Sequence, residues 1–239
     1  MRLAAPTLLL ALGLSAPFPI VAQSAPARVD VALVLAVDVS GSVDDNRYAL
    51  QMEGIARAFE DRDVQSTILS GPNAAILVTL VNWSQKPQVA IPWRVIARRA
   101  DATAFAADVR RAPRRAEDFT CMSAMLQVVG EKVLPLMPLP ADRAVVDVSG
   151  DGRDNCNPPT PVDSRRDGLV ADGATINGLP IKAGREAATI AQWYEQHVIG
   201  GTAAFLLPAN GYEDFGRAIR QKFIIEISGR SQGATVARQ

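Results

Sequence analysis

The chain has 239 residues, 48% hydrophobic and 21% charged, ordinary for a globular protein and long enough to bury a sizeable core as one domain. Lys and Arg number 25 and Asp and Glu 25, so no charge excess argues for a nucleic-acid partner or for attachment to anionic lipid. An aromatic content of 5% argues against a carbohydrate- or base-stacking surface.

The opening "MRLAAPTLLLALGLSAPFPIVAQ" has an early positive charge at Arg2, an apolar core around Leu8–Leu14, then small residues. This is the layout of a secretory signal, expected over 1–22 with cleavage after Ala22, followed by a linker over 23–28. Pro17 and Pro19 break the apolar run, and no later segment approaches the roughly 20 apolar residues that span a bilayer. The mature chain is therefore expected in the periplasm or secreted, without a membrane span, as a domain over 29–227 with a flexible tail over 228–239.

Strand and helix patterns then alternate. "VDVALVLAVD" (29–38) reads as a strand buried on both faces. Tyr48, Met52, Ile55, Ala56 and Phe59 recur at helical spacing and predict a helix over 43–60. A second strand at 74–84 leads through Gln85-Lys86-Pro87, a connection of hairpin size, into 88–96, where Pro92 demands a sheet edge. Helices are expected over 101–112 and 121–134, a strand over 143–149, a helix over 164–173 and a strand over 174–181. A helix over 184–198, a strand over 202–209 and a closing helix over 212–228 complete the series. This rhythm predicts an α/β fold with a mostly parallel sheet covered on both faces.

In such sheets ligands bind beyond the carboxyl ends of the strands. There the chain places Asp38, Ser40 and Ser42 in "DVSGS", Thr120 in "EDFTCMSAML", and Asp151 in "SGDG". These are oxygen donors only, which suits a hard cation such as Mg²⁺ and does not suit zinc. Each residue also has a plain structural reading. Ser42 with Asp45 resembles a capping box, Thr120 could cap the helix after it, and Asp151-Gly152 could be a turn. Asp38 demands more, because a carboxylate closing a buried strand needs a partner. Asp147 competes with Asp151 as the second acid, but it lies inside the apolar run whereas Asp151 lies past its end.

The order "DVSGS", a Thr ahead of a helix and "SGDG" after an apolar strand resembles the metal-ion-dependent adhesion site (MIDAS) of von Willebrand factor A-type (vWA) domains. That pattern is Asp-x-Ser-x-Ser, a distant Thr and a distant Asp followed by Gly. The resemblance spans about 29–225, and "VNWS", "IPW" and "INGLPI" look like a branch of exported bacterial proteins with this domain. It implies a three-layer, Rossmann-like fold whose mostly parallel sheet has one antiparallel edge strand. It further implies that Asp38, Ser40, Ser42, Thr120 and Asp151 hold Mg²⁺ (or Mn²⁺ or Ca²⁺), leaving a position for an acidic side chain of a protein partner. Phe119 stands where the family usually has Gly.

Given export, Cys121 and Cys156 are expected to form a disulfide between the Thr120 and Asp151 loops. Two rival readings carry different tests. A vWA-type protein with a vestigial or structural metal site would bind partners without metal. A metal-dependent hydrolase would show turnover, but an aspartyl-phosphate site wants a second acid where Ser40 stands, and the chain's only histidine, His197, falls within a predicted helix. Recognition without catalysis is the expectation. "RRAPRR" (110–115) reads as a solvated loop because Glu117 and Asp118 follow it, and 157–173 reads as a specificity loop on the same rim.

Overall fold

The computed structural model describes residues 26–115 and 117–229; the expected signal at 1–22 and the tail from 230 onward lie outside the described residues. Strands β1 (Val29–Asp38), β2 (Ile76–Trp83), β3 (Gln88–Ile96), β4 (Ala141–Gly150) and β5 (Ala174–Pro180) form one sheet in the order β3-β2-β1-β4-β5. All neighbours are parallel except β2 and β3, so the sheet is the expected parallel one with an antiparallel edge.

β1 occupies the centre, and all ten of its residues are buried. That is why its sequence is a continuous apolar run and not an alternating one. Val31, Leu33, Leu35 and Val37 enter one core, shared with α1 (Asp45–Glu60), α2 (Arg62–Leu69), α3 (Arg99–Arg111) and α7 (Phe215–Ser228). Val34 and Ala36 enter the opposite core, shared with α4 (Met122–Val128), α5 (Val162–Ala171) and α6 (Ile190–His197). Three layers result. Among the described residues no helix is long and apolar enough to cross a membrane.

β3 is the edge that Pro92 requires. The β2–β3 register shifts twice around Leu80, and the Thr79 hydroxyl donates to the Ile91 carbonyl at 2.7 Å beside that irregularity.

α1 ends at Glu60 as expected, but the chain continues into a helix that was not expected, α2, which Asp61 caps with its carboxylate accepting from the backbone of Asp63 and Val64. Several predicted elements differ. The helix predicted over 121–134 is α4 followed by a π-turn over Val129–Val133 and a 3₁₀ turn over Leu134–Leu136, which carries Pro135. The segment 184–189 is not α-helical beyond a 3₁₀ turn at Gly184–Glu186, and α6 begins only at Ile190. The strand predicted over 202–209 is also absent as a ladder. Gly201 and Ala203 have positive φ, Pro208 lacks an N–H, and only isolated bridges at Leu206 and Ala209 join this segment to β5 and the residue after it.

The basic cluster is consumed within the molecule. Arg110 pairs with Glu53 at 2.8 Å and Glu60 at 2.6 Å, Arg111 with Asp108 at 2.7 Å and Arg114 with Asp45 at 3.0 Å.

Candidate metal centre

Asp38 closes β1 with its side chain fully buried. Its Oδ1 accepts the backbone N–H of Ser40 at 2.8 Å, while Oδ2 is buried with no hydrogen-bond partner. The chain then turns back, Val43 N–H donating to the Ser40 carbonyl at 2.9 Å. This turn aims two hydroxyls at one point. Ser40 Oγ lies 3.4 Å from Ser42 Oγ, and Ser42 Oγ donates to Asp151 Oδ1 at 2.5 Å. Thr120 Oγ1 donates to Ser40 Oγ at 3.2 Å. All five predicted residues therefore meet in one connected cluster at the carboxyl ends of β1 and β4.

The structure also separates these roles from capping. Asp44 caps α1, accepting Arg47 N–H at 2.8 Å, which leaves the Ser42 hydroxyl to the cluster. Cys121 holds the cap position of α4 without a side-chain bond, and Asp154 instead accepts the Ser123 N–H at 2.8 Å. Thr120 is thus not a cap. Gly41 is required for close approach: a Cβ there would meet the Asp118 carbonyl at 3.2 Å. Asp147 is directed elsewhere. It sits opposite Leu35, on the α7 side of the sheet, 3.5 Å from Lys222 Nζ.

Several supporting residues carried no signal that the sequence reading used. Asn155 holds the Thr120 backbone from both sides, its Oδ1 accepting Thr120 N–H at 2.8 Å and its own N–H donating to the Thr120 carbonyl at 3.0 Å. Phe119 beside it is left half exposed, displayed on the rim. The Tyr194 and Tyr212 hydroxyls are buried without hydrogen-bond partners, and a Cβ on Gly150 would touch both Tyr194 Oη and Asp38 Oδ2 at 2.9 Å. Burial and the charges of Asp38 and Asp151 push both tyrosines above their ordinary range, so both hydroxyls stay protonated.

The electrostatics invite a cation. Burial pushes the Asp38 carboxyl up to about 7, the nearby Asp151 carboxylate adds to this, and hydrogen bonds from Ser40 oppose it. Two acids share a buried corner whose other groups are hydroxyls. Among the described residues no group of three or more His, Cys, Asp or Glu side chains is placed to hold a metal ion, so a metal here would rest on hydroxyls and two carboxylates. An orphaned carboxylate oxygen within an oxygen-only set fits a hard divalent ion.

The Thr120 and Asp151 loops are joined by the Cys121–Cys156 disulfide, with Cα atoms 5.2 Å apart. The bridge spans 35 residues, so replacing both cysteines with serine is expected to lower stability by about 2–4 kcal/mol in urea unfolding. An unchanged midpoint would mean that the bridge constrains little.

Solved structures share this architecture. Proximal thread matrix protein 1 from the mussel byssus superposes with a TM-score of 0.64 at 17% identity, over 85% of this chain and 48% of that one. A form of it with a zinc-occupied MIDAS motif gives 0.61, also at 17% identity, over 85% and 49%. A von Willebrand factor type A protein from Catenulispora acidiphila gives 0.58 at 15% identity, over 83% and 43%. The pilus adhesin SpaC from Lactobacillus rhamnosus GG gives 0.57 at 13% identity, over 84% and 31%. The chain thus spans about half or less of each, and at these identities the likeness establishes the fold, which is vWA-type. No curated protein matches the chain. Over residues 28–231 it belongs to the family described as "Protein of unknown function (DUF1194)", here seen to be built on the vWA-type α/β fold.

Proposed function

We propose that this chain is an exported binding module that recognises a protein partner through a divalent cation held by Asp38, Ser40, Ser42, Thr120 and Asp151. The observation that carries the reading is the buried, unpartnered Oδ2 of Asp38 beneath three converging hydroxyls and a second carboxylate. Leaving such an oxygen without a partner costs about 1–3 kcal/mol or more, which a bound cation would offset.

Mg²⁺, with Mn²⁺ or Ca²⁺ as substitutes, would supply the Lewis acidity that draws an external carboxylate. The chain's own residues do the rest. The Ser40–Val43 turn and the Asn155 clamp hold the hydroxyls, and the closed α/β core beneath excludes water from Asp38. The half-exposed Phe119 gives the rim an apolar contact for the partner. The reading is one of recognition, not turnover. His197 supports it, lying in α6 against Trp193 and 3.4 Å from Asp163, not in the cluster. That structural neighbours include a thread matrix protein and a pilus adhesin accords with a binding role.

Calorimetric titration of Mg²⁺ and Mn²⁺ tests the reading. Saturable binding of one ion is expected for the wild type and none for Asp38→Ala. Equal heats from both chains would overturn the site, and partner capture undiminished in EDTA would leave the fold but remove the metal from its function.

A further inference from the structure

Arg47 stands in the first turn of α1 with a guanidinium already inside the candidate centre. Its Nη1 donates to the carbonyl of Ser42 and lies 3.8 Å from Asp151 Oδ2, and the group packs over the Tyr212 ring at 5.2 Å. Asp151 is buried and the Arg47 side chain about one-third exposed, so water screens their attraction only in part. Asp44, 3.9 Å from Arg47 Nε, is about two-thirds exposed, and water screens most of its charge. Arg47 therefore answers chiefly to the acids of the centre, where one guanidinium stands against at most two carboxylate charges.

From this count we infer that Arg47 sets the charge of the loaded site and so trades cation affinity for ligand affinity. With a divalent ion bound, Asp38, Asp151 and Arg47 together leave a net charge of plus one. Without Arg47 the two carboxylates would neutralise the ion, and an incoming carboxylate would meet a neutral site. The same guanidinium repels the divalent ion and competes with it for Asp151. One residue thus acts in opposite directions on two binding steps. The partner group this favours is a carboxylate able to touch both charges, the ion through one oxygen and the Arg47 fork through the other. The inference rests on the metal-site reading above, and the experiment separates the two.

Mn²⁺ is titrated into wild type, Arg47→Gln and Arg47→Lys, followed by titration of the Mn²⁺-saturated proteins with an acetylated, amidated Gly-Glu-Gly peptide. Water proton relaxation follows the bound Mn²⁺, and peptide NMR line broadening follows the ligand. Arg47→Gln is expected to bind Mn²⁺ at least about 10-fold more tightly, the order for a single and a double charge a few ångströms apart under fully aqueous screening and so the lower bound for this partly screened site. The same variant is expected to bind the peptide about 3- to 10-fold more weakly. Arg47→Lys keeps the charge and should follow the wild type for Mn²⁺ while losing part of the bidentate contribution to peptide binding. Wild type that fails to bind Mn²⁺ sinks the metal site itself and this inference with it. Wild type that binds Mn²⁺, with Arg47→Gln moving both affinities in one direction or neither, overturns the role of Arg47 alone.

Discussion

Lys222→Met is expected to lower the unfolding free energy by about 3–5 kcal/mol at pH 7, the cost of stranding buried charges by removing their partner. Lys222 is fully buried in α7, with Nζ 3.0 Å from Glu226 and 3.5 Å from Asp147 of β4, and it packs over the Phe205 ring at 4.4 Å. Asn177 of β5 completes the group. Its Nδ2 donates to Glu226 at 2.9 Å, and its Oδ1 accepts the Phe205 N–H at 3.0 Å. The cluster fastens α7 to β4, β5 and the segment that fails to become a sixth strand. Removing Lys222 leaves two carboxylates in the core, whereas the combined Lys222→Met, Asp147→Asn and Glu226→Gln chain removes every charge and keeps an acceptor for Asn177. That chain should recover most of the loss. Urea unfolding of the two variants checks the contrast, and equal loss in both would show that packing, not charge, is the cause.

The same cluster predicts a pH dependence. Burial, and then the Glu226 carboxylate, raise Asp147 well above its ordinary value of 3.8. A group raised on folding contributes its full stability below the unfolded value and loses it as pH climbs through the folded value. Asp147→Asn is neutral throughout, so it should match the wild type near pH 4 and become the more stable chain above it. The gap should widen by up to about 1.4 kcal/mol per pH unit until Asp147 ionises in the folded state. A difference constant with pH would contradict this sign.

How much of this was legible in the sequence depended on how local the cause was. The β1 run announces a doubly buried strand, and Asp38, Ser40 and Ser42 follow it in five residues, so that part of the cluster could be read directly. Thr120 and Asp151 lie 80 and 113 residues beyond Ser40 and Asp38, and only the family resemblance linked them before the fold was known. The choice of Asp151 over Asp147 was legible because 147 lies inside the apolar run and 151 past its end; that 147 faces the α7 layer emerged only from the fold. Arg47, Tyr194, Tyr212 and Asp154 were not legible. Their approach to the centre is created by packing of α1, α6 and the loops, and nothing in their own neighbourhoods marks it. The false strand at 202–209 failed for a local reason, since an apolar run with a proline cannot donate a full ladder. Asp61 was an unread start: it is a plain helix cap that opens α2, a short helix for which no expectation was formed.

The two glycines of "SGDG" should respond oppositely to alanine, and this contrast tests the centre without touching a ligand. A Cβ at Gly150 would sit 2.9 Å from Asp38 Oδ2, 2.9 Å from Tyr194 Oη and 3.1 Å from Asp38 Cβ. Asp38 and Tyr194 are fully buried, so neither side chain can retreat without disturbing the core below β1. Gly150→Ala is therefore expected to cost about 1–3 kcal/mol by overpacking and to abolish saturable Mg²⁺ binding by pushing Asp38 off the cluster. At Gly152 the nearest atoms to a Cβ would be Thr120 Oγ1 at 3.6 Å and Thr120 Cγ2 at 3.8 Å, ordinary contacts. Its φ is not in the left-handed region either, so Gly152→Ala should fold like the wild type and bind Mg²⁺ within about threefold of it. Thermal unfolding and calorimetry on the pair distinguish a centre built around Asp38 from one in which the "SGDG" turn alone matters. If both variants bound Mg²⁺ as well as the wild type, Asp38 could not be the oxygen on which the cation rests.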